Sequence, residues 1–139
     1  MVQFLNERTR ALTDILDRLS ESLALLHDRR TEQFYTQMRD SVIQRFEVSC
    51  DVFWKYLKDK LAQQYGIVVA NPRGVFREAH EQSIVNKDEY DTLEAMISDR
   101  NDTSHKYDAQ MAEEIAKRVF KYHELMCVVL KRLENTQSV

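Results

Sequence analysis

The chain has 139 residues, 43% of them hydrophobic and 31% charged, with a formal net charge of −3. Those values describe one folded domain with its own core rather than a disordered chain. Two glycines and one proline exclude turn-rich sandwiches and barrels and any glycine-rich phosphate loop, and the acidic balance excludes a basic wrap around duplex nucleic acid.

The first predicted helix runs from about Val2 to His27. Leu5, Leu12, Leu16, Leu19, Leu23 and Leu26 recur at spacings of 3, 4 or 7 on an otherwise charged segment, a narrow stripe of the kind that lines a helix–helix seam. It either packs internally or forms a dimer or partner surface. Thr31, with Glu32 in the first turn, starts the second helix. Phe34, Met38, Val42, Phe46, Cys50, Phe53, Leu57 and Leu61 step by 4, 4, 4, 4, 3, 4 and 4, and Gly66 is the expected stop. Ile67 to Ala70 is short and apolar with no partner strand in view, and reads as a buried connection.

Asn71 and Pro72 open a third helix as N-cap and first helical residue, with Val75, Phe76 and Ala79 inward. Asn86 with Glu89 resembles a capping box and opens a fourth, whose inner face is Tyr90, Leu93, Met96 and Ile97. A polar run follows from Asp99 to Asp108, and Asp108 caps the last helix. There Met111, Ile115, Val119, Tyr122, Met126, Val129 and Leu133 step by 4, 4, 3, 4, 3 and 4. The expectation is an all-α, five-helix antiparallel bundle, an elaborated four-helix bundle, forming one domain over residues 1–139. No stretch of about 18 apolar residues and no signal-like start is visible, so a cytoplasmic protein without a membrane segment is expected. Cys50 and Cys127 lie in apolar-periodic stretches and read as buried free thiols.

The four histidines form no His-x-x-x-His pair, there is no Cys-x-x-Cys, and the Glu-x-x-His pattern of di-iron bundles is missing, so no metal site is expected. Attention falls on the polar run. Arg100 follows Ile97 by 3 and Met96 by 4, which extends the inner face of the fourth helix with a guanidinium. His105 comes next among polar residues, and Tyr107 two beyond it. A fixed cation beside an imidazole is what metal-independent RNA cleavage needs: one group moves the proton of the ribose 2′-hydroxyl or of the leaving oxygen, the other stabilises the charge growing on phosphorus. The structural alternative is that Arg100 serves the helix C-terminus and pairs with Asp99 or Asp102, while Asn101, Thr103, Ser104 and Asp108 are caps. Glu47 and Arg45, flanking Phe46, are further candidates for pairing with Arg100. Trp54 and Phe53 could stack on a base or be core. Arg73, Arg77 and His80 fall on adjacent turns of the third helix and either touch phosphate or form a solvated face. His123 reads as a surface or partly buried histidine.

Four blocks in order carry a resemblance: Ser41-Val42-Ile43-Gln44-Arg45-Phe46-Glu47, Phe53-Trp54-Lys55-Tyr56-Leu57-Lys58, Pro72-Arg73-Gly74-Val75-Phe76-Arg77-Glu78-Ala79, and the run from Asp99 to Asp108. From roughly Phe34 to Leu133 the chain resembles the nucleotidyltransferase substrate-binding proteins, a branch of the HEPN superfamily, with a HEPN-like core of about residues 31–134. The resemblance implies an all-α homodimer that forms a complex with a minimal nucleotidyltransferase subunit. It implies a metal-independent endoribonuclease site, shared across the dimer in active members, with Arg100, Asn101 and His105 in the signature positions and RNA as substrate. In related toxin–antitoxin pairs the motif extends to a tyrosine that accepts AMP from the nucleotidyltransferase, matched here by Tyr107. The alternative implied by the family name is a non-catalytic subunit that presents a substrate or nucleotide to that partner, with Arg73, Arg77 and Trp54 as binding candidates. No cofactor is expected beyond such a nucleotide ligand. The acidic net charge predicts modest, salt-sensitive RNA affinity.

Overall fold

The computed structural model describes residues 2–27, 31–105 and 108–137, with side chains for 7–27, 31–104 and 108–135. These residues form five helices and no strand: α1 (Val2–Leu25), α2 (Glu32–Tyr65), α3 (Pro72–Glu81), α4 (Lys87–His105) and α5 (Ala109–Gln137).

Local chemistry accounts for most of the boundaries. The Thr31 hydroxyl accepts from the Phe34 amide at 2.9 Å, and Asn71 Oδ1 accepts from the Gly74 amide at 2.7 Å. Asn86 and Glu89 exchange two bonds of 2.9 Å, completing the capping box. Asp108 accepts from the Met111 amide at 2.8 Å. Gly66 closes α2 at φ 68°, a left-handed conformation that a Cβ would oppose. Ser83 adopts φ 60° after α3. Its amide reaches the His80 carbonyl at 3.0 Å and the Ile84 amide reaches Ala79 at 2.9 Å, a Schellman stop with serine where glycine is usual.

Side-chain ties give the topology. Arg8 pairs with Asp59 and Thr9 with Glu134, so α1 runs antiparallel to both α2 and α5. Glu89–Arg132 and Asp99–Arg118 make α4 antiparallel to α5. Tyr35 and Arg39 meet Glu113 near the start of α5, while Tyr56 and Lys60 meet Glu134 near its end. The two longest helices, α2 and α5, therefore run side by side in the same direction. This follows from α4, which runs antiparallel to both; short α3 links α2 to α4 and raises the helix count to five rather than the four of a simple four-helix bundle.

The core joins all five helices. Leu12, Leu16, Leu19, Leu23 and Leu26 are buried, so the α1 stripe packs internally, each leucine contributing about 1.5–3 kcal/mol. Phe46 stacks on Tyr122 at 5.6 Å and Phe53 meets Phe76 at 6.3 Å. Two expectations need correction, the burial of the 67–70 connection and that of Cys127. The connection at residues 67–70 is not buried: Ile67 and Val69 lean on the core, but Val68 is 84% exposed, because an extended chain alternates its faces. The first part of the polar run is helical, since α4 continues to His105. Cys50 is buried, whereas Cys127 is only partly so.

Candidate functional site

The last turns of α4 carry the polar run, and successive residues there point about 100° apart. Asp99 and Arg100 therefore face different helices. Arg100 Nε and Nη2 donate to the two oxygens of Asp51, both at 3.1 Å. Its Nη1 donates to Glu47 at 3.2 Å and to the Ser104 hydroxyl at 2.7 Å. Glu47 and Asp51 lie one turn apart on α2, so both reach the same guanidinium. The Asp51 hydrogen bonds outweigh burial and raise the Arg100 pKa further, so the cation is permanent.

Asp99 turns towards α5. Arg118 grips it with two bonds, Nε to Oδ2 at 2.8 Å and Nη2 to Oδ1 at 2.9 Å, and the Tyr122 hydroxyl adds a third at 2.5 Å. Burial and the adjacent carboxylate push the Tyr122 phenol up, which keeps it a donor. Asp99 is thus not the partner of Arg100.

Of the other predicted residues, Asn101 is exposed on the terminal turns of α4, beside exposed Asp102 and Ser104. His105 ends α4; its side chain and the whole of Tyr107 lie outside the described residues. Arg73 is engaged within the subunit, by Glu94 at 2.5 Å and Ser98 at 3.1 Å. Arg77 is exposed. Trp54 is half-buried against the core, Phe53 is fully core, and His80 stacks on Tyr90 at 5.2 Å. His123 Nε2 lies 3.0 Å from the Leu16 carbonyl, a tie between α5 and α1. Arg45 does not reach Arg100 but donates to the Arg18 carbonyl of α1 at 2.7 Å.

Asp51 and the Asp99–Arg118–Tyr122 cluster are the residues that sequence reasoning missed. The Glu47-x-x-x-Asp51 spacing was a visible sign of a two-carboxylate face on α2. Nothing local marked Asp99 as a partner for α5. Two concavities flank this region: a groove of about 710 Å³ between α4 and α5, over Ala95, Leu125 and Val128, and a cleft of about 240 Å³ bounded by Asp102, Asp108 and Glu114. Arg118 lines both and Arg100 lines neither. Among the described residues no three His, Cys, Asp or Glu side chains converge as a metal site, and no helix is long and apolar enough to cross a membrane.

The family described as nucleotidyltransferase substrate binding protein like matches residues 7–135. A crystal structure of a Thermus thermophilus protein is 36% identical, with TM-score 0.79 over 88% of this chain and 98% of that one. A mutant MntA–HpeT toxin–antitoxin complex contains a chain that is 16% identical, with TM-score 0.75 over 96% of this chain and 98% of that one. A tri-AMPylated Shewanella oneidensis HEPN toxin in complex with MNT antitoxin gives 14% identity and TM-score 0.73 over 97% and 99%. At these last two identities the likeness is one of fold. Among curated proteins there is no significant match. The match across nearly the whole chain and the fold it shares with these structures lead to one conclusion: the chain belongs to the nucleotidyltransferase substrate-binding protein family.

Proposed function

We propose that this chain is the HEPN subunit of a two-component system, working as a homodimer with a minimal nucleotidyltransferase, and that the C-terminal end of α4 holds latent metal-independent endoribonuclease chemistry. The observation that carries this reading is Arg100, a permanent cation fixed on the terminal turns of α4 five residues before His105 ends the helix. A guanidinium so placed can stabilise a phosphorane, and an imidazole at a helix C-terminus is suited to moving a proton near neutrality. Exposed Asn101 would orient the RNA. Family membership supports the nucleotidyltransferase partner, the AMPylated state of the Shewanella toxin supports AMP transfer to this chain, and the motif resemblance makes Tyr107 the acceptor.

A second reading has its own supporting observation. The Arg100 fork is already filled by Glu47 and Asp51, which suits a non-catalytic subunit that holds a substrate or nucleotide for its partner. RNA incubated with the purified protein in excess chelator separates the two. Cleavage by the wild type that is lost in both Arg100→Ala and His105→Ala supports the nuclease. No cleavage by any of the three, with nucleotide binding retained by the wild type, supports the presenting subunit. Mass spectrometry after exposure to the partner and ATP tests the acceptor: a Tyr107→Phe protein that still gains the AMP mass removes that role.

A further inference from the structure

An arginine that is to receive a phosphate must expose its fork. Here the order of the groups is reversed. The Arg100 side chain is 21% exposed, Glu47 31% and Asp51 42%, so the carboxylates lie nearer the solvent than the cation they hold. The two oxygens of Asp51 occupy Nε and Nη2 in the parallel geometry that a phosphate would adopt. Glu47 and Ser104 occupy Nη1. Two carboxylates on one guanidinium leave the cluster with a net charge of −1, and an arriving polyanion meets that charge first.

We propose that Glu47 and Asp51 form an internal phosphate mimic that competes with RNA for Arg100 and keeps this end of α4 closed in the isolated subunit. The inference rests on the nuclease reading above and names its regulation. An RNA phosphate gains the guanidinium only by displacing Asp51, so RNA affinity of the free subunit is set by an exchange of anions and not by simple addition. The bidentate Asp51 is the stronger half of the lock and Glu47, with one bond, the weaker.

The test is binding of a fluorescent oligoribonucleotide with a 2′-O-methylated, uncleavable backbone, followed by anisotropy in chelator at low salt. Asp51→Asn tightens binding by about two- to fivefold, the scale of one partly exposed ion pair, and Glu47→Gln by less. The gain disappears when Arg100→Ala is added to either variant. Asp88→Asn, which neutralises an exposed carboxylate at the opposite end of α4, about 18 Å from Arg100 along the helix, changes binding by less than about twofold. If the Asp51 variant does not fold, Glu47→Gln carries the test alone, since it leaves the Asp51 pair in place. Unchanged or weaker binding in the neutralised variants overturns the lock, as does an equal gain in the Arg100→Ala background. The nuclease reading is judged separately, by Arg100-dependent cleavage in the wild type: cleavage without a gain on Asp51→Asn sinks the lock alone.

Discussion

Asp99 and Arg100 are neighbours in the chain and bind different helices of the bundle: Asp99 takes Arg118 and Tyr122 from α5, and Arg100 takes Asp51 and Glu47 from α2. One peptide unit of α4 thereby ties three helices together. The two residues differ in burial, and their substitutions separate accordingly. Asp99→Ala leaves a buried phenol and a guanidinium without their acceptor and costs on the order of 3 kcal/mol. Arg100→Ala breaks a more solvated cluster and costs about 1 kcal/mol. Urea unfolding of the two variants checks the difference, and a folded Arg100→Ala protein is what makes its RNA assay interpretable.

A second buried charge lies towards the end of α2. Lys60 is fully buried and meets Glu134 at 3.4 Å, while Thr9 donates to the same carboxylate at 2.9 Å and Tyr56 donates as well. Losing Glu134 strands a fully buried ammonium, whereas losing Lys60 leaves a partly exposed carboxylate that still accepts from Thr9 and Tyr56. Glu134→Ala is expected to cost about 3 kcal/mol, whereas Lys60→Met, which keeps the stem volume, stays within about 1 kcal/mol of the wild type or stabilises it. Denaturant midpoints of the two variants decide between these outcomes.

The same carboxylate gives the fold an acid-sensitive tie. Burial alone would raise the Glu134 pKa, but the bonds from Tyr56 and Thr9 and the nearby Lys60 ammonium hold it below its usual value. Glu89 is also lowered, chiefly by its bonds from Arg132. Because both values fall on folding, the unfolded chain takes up these protons first. The stabilisation is complete above the ordinary glutamate pKa of about 4.3 and is lost as pH falls through the lower folded values. Melting temperature measured between about pH 7 and about pH 2.5 should decline chiefly below about pH 4.5, and Glu89→Gln should flatten that decline.

The two left-handed helix stops differ in residue type. Gly66 is glycine at φ 68°, and Ser83 carries a side chain at φ 60°. Ser83→Gly relieves the Cβ and is expected to stabilise the protein by roughly 0.5–1 kcal/mol, while Gly66→Ala costs about 1 kcal/mol. Opposite shifts in thermal midpoint from these two substitutions check the argument.

The cysteines should react unequally. Burial pushes the Cys50 thiol up to about 12, leaving almost no thiolate at neutral pH. Cys127 is also raised by burial but is only partly covered. Iodoacetamide at about pH 8 should modify Cys127 in the native protein and both residues after unfolding, read by intact mass.

What the sequence determined by itself is the part that short-range chemistry decides. Helix existence follows from apolar steps of three and four, and the boundaries from Thr31, Gly66, Asn71, Asn86 and Asp108, whose side chain or conformation acts within three or four residues. The family resemblance in the four blocks was legible for the same reason, being a matter of residue order. Which carboxylate Arg100 takes was not legible. Glu47, Asp99 and Asp102 were all within chemical reason and Asp51 did not stand out, because the choice depends on the rotation of α4 against α2, helices separated by more than twenty residues of chain. Tertiary structure alone turned Asp99 towards α5, left Val68 in solvent and brought α2 and α5 into parallel register. Each of these depends on how rigid helices pack their whole faces together, an outcome summed over many distant side chains that no local window contains.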